Sequence, residues 1–123
     1  MRSQAAVVVA LSLFSAHIAE AMAQDGPVAA KEIQDTWVGK ELTGTTASGA
    51  KATMRLEPDG KASVSAGNTS DTGTWRISES GYCTTWKTIR AGQERCFTVV
   101  RAGTTFKVMN PDGSLSGQFN AVK

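Results

Sequence analysis

Residues 82–97 of the chain, YCTTWKTIRAGQERCF, contain the pattern that decides the fold. The two cysteines of the chain, Cys83 and Cys96, lie on either side of Ala91-Gly92, a dipeptide typical of turns. Two isolated cysteines in an oxidising compartment pair by default. The stretch therefore predicts a disulfide-linked antiparallel hairpin with its turn at residues 88–91.

The cysteine pairing also predicts the register of this hairpin. Because side chains alternate across a strand, one face carries four apolar residues and should point inward, while the disulfide and Lys87 point outward. The inward residues are Tyr82, Trp86, Phe97 and Val99. The pairs expected beside the disulfide are Tyr82 with Phe97, Thr84 with Arg95, and Trp86 with Gln93.

Turn residues recur about every ten residues from Lys40 onward, and apolar and polar side chains alternate between them. Because such short connections leave no room for crossovers, consecutive strands should pair. The sequence therefore predicts an all-β fold, a small eight-stranded antiparallel up-and-down barrel, with a two-sheet sandwich as the alternative. The predicted strands are 41–46, 50–56, 61–66, 72–77, 82–88, 94–101, 104–109 and 114–122.

The inward positions of these strands form the predicted core. They are numerous enough to fill most of a barrel with short strands, so a ligand is expected at the barrel mouth rather than in a large central cup. The predicted core residues are Met54, Leu56, Val64, Trp75, Ile77, Tyr82, Trp86, Phe97, Val99, Phe106, Val108, Leu115 and Phe119.

Residues 1–23 have the layout of a signal peptide. Arg2 precedes an apolar stretch, 5–16, and Ala21 and Ala23 are the small residues that a signal peptidase requires. Cleavage after Ala21 is a second option. An uncleaved membrane anchor is less favoured, because a spanning helix needs about 20 apolar residues. The predicted location is therefore periplasmic or secreted, and no segment of the chain is expected to span a membrane.

Residues 24–39 form a short helix or a loosely held arm in this prediction, ahead of a β-barrel domain at 40–123. Pro27 is suited to open a helix, and Val28, Ile33 and Trp37 recur near helical spacing.

The chain has one histidine, His17, which lies in the predicted signal peptide. Without an imidazole, the mature protein has no histidine-dependent triad and almost no option for zinc or haem ligation. The two Pro-Asp-Gly sequences, 58–60 and 111–113, indicate turns rather than carboxylate sites. The prediction is a protein that is not an enzyme and has no catalytic residues, metal or cofactor. A carboxylate-dependent hydrolase is a less favoured alternative.

Charge is concentrated in one part of the chain. Residues 75–107 carry six basic and two acidic side chains, whereas the whole chain has a net charge of +2. A basic face could bind an anionic glycan, lipid headgroups or an acidic partner such as an envelope protein. The simpler interpretation is a solvated barrel exterior that carries Arg76, Lys87 and Lys107. Nucleic acid is not expected, because the charge is modest and no binding motif is present.

Three short motifs suggest a relationship. Gly73-Thr74-Trp75-Arg76, Cys83-Thr84-Thr85-Trp86 and Cys96-Phe97 make a G-x-W-R, C-x-x-W, C-F pattern. The stretch from Trp37 to Phe119 resembles a lipocalin-like family of small exported bacterial proteins catalogued as a domain of unknown function. The resemblance implies a small secreted β-barrel and no established activity.

The candidate ligand contacts are Tyr82, Trp86 and Arg95. The register places Arg95 opposite Thr84 and diagonal to Trp86, where its guanidinium could stack on the indole or bind a carboxylate, phosphate or sulfated sugar. The alternative is a rim arginine that only covers Trp86. The functional expectation is an exported, non-enzymatic protein that binds a small molecule, a glycan or a protein. The alternative is an envelope accessory or inhibitor protein with a filled core that acts through its surface.

We expect the exported protein to begin at Gln24, because Ala21 and Ala23 occupy the positions read by the peptidase. N-terminal sequencing of the exported protein checks this. An intact Met1 in a membrane fraction would contradict the predicted compartment.

Overall fold

The computed structural model describes residues 25–120, so the predicted signal peptide lies outside the described residues. The described chain has nine strands, one helix and one 3₁₀ turn. The strands are β1 (Gly26–Pro27), β2 (Glu41–Thr46), β3 (Lys51–Leu56), β4 (Lys61–Ala66), β5 (Thr69–Ile77), β6 (Gly81–Trp86), β7 (Arg95–Ala102), β8 (Thr105–Met109) and β9 (Leu115–Asn120); the helix is α1 (Ala30–Thr36), and the 3₁₀ turn is Ile89–Gly92.

Strands β2 to β9 form the predicted barrel. Each strand pairs antiparallel with the next, and β9 pairs with β2 to close the sheet. The closed eight-stranded barrel is confirmed, and the sandwich alternative is wrong. Closure removes the exposed sheet edges that a meander of this kind would otherwise leave.

The hairpin β6–β7 has the predicted disulfide between Cys83 and Cys96. Tyr82 faces Phe97, as expected. Pairing stops at Thr84 and Arg95, so the expected pair of Trp86 with Gln93 is wrong. The chain leaves the β6–β7 ladder there and widens into the 3₁₀ turn. The N–H of Lys87 donates to the carbonyl oxygen of Thr72 in β5 at 3.0 Å.

Neighbouring strands of this small barrel approach each other too closely at some positions for any side chain, so glycine is required there. A Cβ atom on Gly44 would lie 1.8 Å from the carbonyl oxygen of Gln118, and one on Gly73 would lie 2.0 Å from that of Thr85. No side chain fits at these distances. The two glycines therefore permit the strong coiling that closes eight short strands.

The N-terminal segment closes one end of the barrel. Two strands share one edge of β7. Strand β6 pairs with β7 as far as Thr98, and β1 pairs with the next part of β7, at Val100 and Arg101. Helix α1 follows, so the expectation that Pro27 opens the helix is wrong, because Pro27 belongs to β1. Val28 and Ile33 are buried, although the predicted core did not include them.

Trp37 fills the interior at this end and is completely buried. Its ring meets three aromatic rings edge-on, with centroids 5.8 Å from Tyr82, 5.5 Å from Phe106 and 5.9 Å from Phe119. Such pairs contribute about 0.5–1.5 kcal/mol each beyond the burial of their surface. The residue that follows α1 is therefore the centre of the core at this end.

The predicted core is largely confirmed, with one error. Val64, Trp75 and Ile77 are only partly buried, and Leu115 is 37% exposed. The exposure of Leu115 follows from a register shift in the β8–β9 ladder, where Met109 pairs with Leu115 but Val108 pairs with Gly117. The extra residue turns Leu115 outward. The remaining predicted residues are buried: Met54, Leu56, Tyr82, Trp86, Phe97, Val99, Phe106, Val108 and Phe119.

The two Pro-Asp-Gly sequences are turns, as predicted. Asp59 accepts a hydrogen bond from the N–H of Lys61 at 3.0 Å, and Asp112 accepts one from the N–H of Ser114 at 2.9 Å. Each carboxylate is therefore used by its own turn.

We expect the double substitution Cys83→Ser/Cys96→Ser to lower the free energy of unfolding by about 3 kcal/mol, because the bridge restricts the unfolded chain. Chemical denaturation measures this change. Reduced wild-type protein is the control and should match the variant, with a β-rich circular-dichroism spectrum retained in both. An unchanged denaturation midpoint would contradict the stabilising role of the bridge.

Candidate functional site

The end of the barrel opposite Trp37 contains a cavity of about 220 Å³. It lies inside the barrel and reaches the strand ends at Thr46, Ala66 and Ser116. Its walls are mainly apolar and come from strands on all sides of the barrel. The large wall residues are Met54, Val64, Trp86, Phe97, Val108 and Phe119.

A second, larger concavity of about 590 Å³ lies on the outer surface of β4, β5 and β6. Exposed side chains such as Thr72, Thr74 and Lys87 form much of its lining, so it is a groove open to solvent. Ligand sites bury most of the surface of a small molecule, and an interior cavity does this better than an open groove. The interior cavity is therefore the better candidate site.

Arg90 is the single charged side chain among the described residues that line the interior cavity. Its Nη2 donates to Thr84 Oγ1 at 2.8 Å and to the Thr84 carbonyl oxygen at 3.3 Å. The guanidinium lies 5.5 Å from the centroid of the Phe97 ring. Its Nε is buried and has no partner among the described residues. A buried donor without an acceptor is unfavourable and is uncommon in folded proteins.

An unusual backbone conformation brings Arg90 into the barrel. Arg90 has φ 58° and Ala91 has φ 54°, both in the left-handed region. This region costs a non-glycine residue about 1–2 kcal/mol. Strained backbone of this kind is found mainly at functional sites, where the surrounding structure maintains it.

Asp71 holds this loop in place from the neighbouring strand β5. Its Oδ2 accepts hydrogen bonds from the N–H of Thr88 at 2.9 Å, the hydroxyl of Thr88 at 3.0 Å and the N–H of Ile89 at 2.9 Å. The backbone donors, above all Ile89, lower the pKa of the Asp71 carboxyl from 3.8 to about 2. One carboxylate thus fixes the two residues that precede Arg90.

The electrostatics of the cavity follow from burial. Burial lowers the pKa of Arg90, as does the nearby charge of Arg95, but a guanidinium remains charged at neutral pH. Burial also raises the pKa of the Tyr82 phenol above its ordinary value of 10.0, although the charge of Arg90 partly opposes this. The cavity therefore combines one cation with a neutral phenol.

The structure brings two of the three predicted contact residues, Tyr82 and Trp86, to the wall of the cavity. Arg95 faces Thr84 as expected, but it is exposed, and its Nη1 lies 3.4 Å from Asn110 Oδ1. The expected stacking of Arg95 on Trp86 is wrong, because the hairpin ladder ends before Trp86 and Arg95 turns towards the β8–β9 loop. The role of these three residues in binding stays a prediction.

Arg90 is the residue that sequence reasoning missed. Its position beside the Ala91-Gly92 turn is visible in the sequence, but an arginine there normally points to solvent. Only the left-handed conformation at Arg90 and Ala91 turns the side chain inward, and nothing in the sequence marks a non-glycine residue for that conformation.

The outer face of the hairpin is less suited to binding. Arg76, Lys87 and Lys107 are exposed, as predicted. Arg76 forms a two-point contact with Glu94, with distances of 3.0 and 2.8 Å, so its charge is already neutralised. Glu94 also lies near Cys83 and Cys96, but both sulfur atoms belong to the disulfide and neither is available as a thiolate ligand.

Comparison of the chain with protein-family models, with curated proteins and with solved structures finds no match. The resemblance to exported lipocalin-like proteins therefore stays a prediction. Within residues 25–120, no helix has the length and apolar character needed to cross a membrane.

We expect the chemical shift of the Ile89 amide proton to change with a midpoint near pH 2, because the amide donates to the Asp71 carboxylate and reports its protonation. The folded pKa lies below the ordinary value of 3.8, so the contribution of Asp71 to stability is complete above about pH 4 and is lost as the pH falls through 2. Two-dimensional NMR between pH 5 and 1.5 measures the titration.

The substitution Asp71→Asn should remove this step. Asp59→Asn is the matched control, because Asp59 bonds within its own turn and should leave the Ile89 signal unchanged. A midpoint near 4, or the same titration in Asp71→Asn, would contradict the assigned contact.

Proposed function

We propose that this protein is an exported, non-enzymatic binding protein that holds a small, mainly apolar molecule in the cavity at the open end of its barrel. The observation that carries the proposal is the cavity of about 220 Å³ beneath Arg90 and the Ile89–Gly92 turn. An apolar cavity with a few polar groups at its entrance has the usual composition of a ligand site.

The dimensions of the cavity restrict the ligand. Sites for drug-sized molecules occupy about 300–1,000 Å³, so a cavity of about 220 Å³ suits a smaller molecule or one end of a longer one. The residues that line the cavity at the strand ends include three polar ones, Thr45, Thr46 and Ser116. Polar residues at the mouth favour a ligand whose apolar part lies inside and whose polar part lies at the mouth.

The walls of the cavity are suited to bind without large rearrangement. They belong to paired strands of a closed sheet, which hold their side chains in fixed positions. The opposite end is filled by Trp37, so a ligand has one route of entry. A site formed in advance loses less conformational entropy on binding than one that must be ordered by the ligand.

The proposal includes export. The layout of residues 1–23 is that of a signal peptide, and the Cys83–Cys96 disulfide is compatible with an oxidising compartment. Membership of the exported lipocalin-like group is part of the same proposal. The surface-acting accessory or inhibitor alternative assumed a filled core, and the interior cavity favours the binding function over it.

We expect Ala52→Phe to abolish binding of an apolar molecule, because Ala52 lines the cavity and a phenyl group there would occupy it. The fluorescence of N-phenyl-1-naphthylamine, a neutral apolar probe, measures binding. Thr53→Phe is the matched control, because Thr53 is the exposed neighbour on the same strand.

The control should bind the probe like wild type, and melting temperatures should confirm that both variants fold. Equal probe binding in wild type and Ala52→Phe would contradict the cavity as the site. Loss of binding in Thr53→Phe alone would assign the site to the outer surface.

A further inference from the structure

We propose that Arg90 binds a carboxylate, so that the cavity takes small amphiphilic molecules with one carboxylate head and an apolar body. This inference rests on the proposed function, because it names the class of ligand for the same cavity. In this inference Arg90, and not the sequence-predicted Arg95, contacts the negative charge of the ligand.

The positive charge of Arg90 has no counterion among the described residues. Five ion pairs join described residues, and none of them includes Arg90. No aspartate or glutamate is among the residues that line the cavity. A partly buried cation without a counterion is unfavourable. A ligand carboxylate would supply the missing negative charge.

Only one of the three guanidinium nitrogens of Arg90 has acceptors among the described residues. Thr84 accepts hydrogen bonds from Nη2, through its hydroxyl and carbonyl oxygens. Nε has no acceptor among the described residues, and the hydrogen bonds of the described chain include none from Nη1. Hydrogen bonds from a guanidinium to a carboxylate are strengthened by the opposite charges. Thr84 therefore fixes the plane of the group, Nε is buried, and Nη1 remains to donate to one carboxylate oxygen of a ligand.

The loop that carries Arg90, residues 88–92, is held in one conformation by contacts within the protein. Asp71 fixes Thr88 and Ile89, and the left-handed conformations at Arg90 and Ala91 direct the guanidinium over Phe97. The protein therefore positions the guanidinium before a ligand arrives, which reduces the entropy lost on binding.

Because Arg90 is the single charged residue lining the cavity among the described residues, the ligand should carry one negative charge. One guanidinium with two bonds already made to Thr84 can neutralise one negative charge. A phosphate carries up to two charges and three acceptor oxygens, which need more donors than Arg90 has left. The site is therefore suited to a carboxylate rather than to a phosphate.

The experiment compares octanoate with 1-octanol, which have the same chain length and differ in charge. Each competitor displaces N-phenyl-1-naphthylamine from the exported protein at pH 7. We expect octanoate to bind about tenfold or more tightly than 1-octanol in wild type, as expected for a hydrogen bond to a charged group. Octyl phosphate should bind less tightly than octanoate.

Arg90→Met should reduce the ratio of the octanoate and 1-octanol affinities to about twofold or less, because methionine keeps part of the apolar stem and has no charge. Arg95→Met is the matched control, because it removes the other arginine near the mouth, and it should keep the wild-type preference. Arg90→Gln provides a second neutral variant if Arg90→Met does not fold, as judged by its melting temperature.

The outcomes separate this inference from the proposed function. Equal binding of octanoate and 1-octanol in wild type would overturn the role of Arg90 and leave the apolar cavity in place. Loss of the preference in Arg95→Met but not in Arg90→Met would transfer the role to Arg95. Tighter binding of octyl phosphate than of octanoate would overturn the carboxylate assignment. Failure of the wild-type protein to bind the neutral probe would contradict the proposed function itself.

Discussion

The burial of Trp37 at one end of the barrel is the interaction on which the rest of the structure depends. Its ring fills the interior between Tyr82, Phe106 and Phe119. The contacts that hold the segment carrying it include the pairing of β1 with β7, the hydrogen bond from the N–H of Val28 to the carbonyl oxygen of Val99 at 2.8 Å, and the ion pair of Glu32 with Arg101. Because this end is filled, the space that remains in a barrel of this size lies at the other end. The position of the candidate site is therefore a consequence of how the N-terminal segment packs.

The open end of the barrel has unfavourable local structure where the other end has a filled interior. Here the chain keeps a left-handed turn at Arg90 and Ala91, a buried donor without an acceptor and a partly buried cation. A domain of this size has a stability of only about 5–15 kcal/mol, so each of these costs is a substantial fraction of the total. The disulfide on the outer face and the Asp71 carboxylate at the mouth limit the loop to this conformation. Departures from favourable local structure are expected at functional sites. The filled end also has one, because the buried Nε1 of Trp37 has no acceptor among the described residues. The open end differs in combining a buried donor with a left-handed turn and a cation that has no counterion among the described residues.

Much of the barrel could be predicted from the sequence, because alternation, turn residues and the cysteine pair are local signals that agree. The strands, the disulfide and the inward face with Tyr82 and Phe97 followed from them. Three features could not be predicted in this way. Pro27 suits a helix start as well as an edge strand, and only the free edge of β7 decides between them. The shift that exposes Leu115 depends on its partner strand. The inward direction of Arg90 depends on hydrogen bonds that Asp71 makes from another strand.

The proposed function requires a small apolar molecule to bind inside the open end of the barrel. Intermolecular nuclear Overhauser effects between bound N-phenyl-1-naphthylamine and the methyl groups of the protein locate the molecule directly. We expect contacts to the methyl groups of Met54 and Val108, which line the cavity. Contacts confined to the methyl groups of Thr74 and Thr85, in the groove on the outer face, would contradict the proposed function.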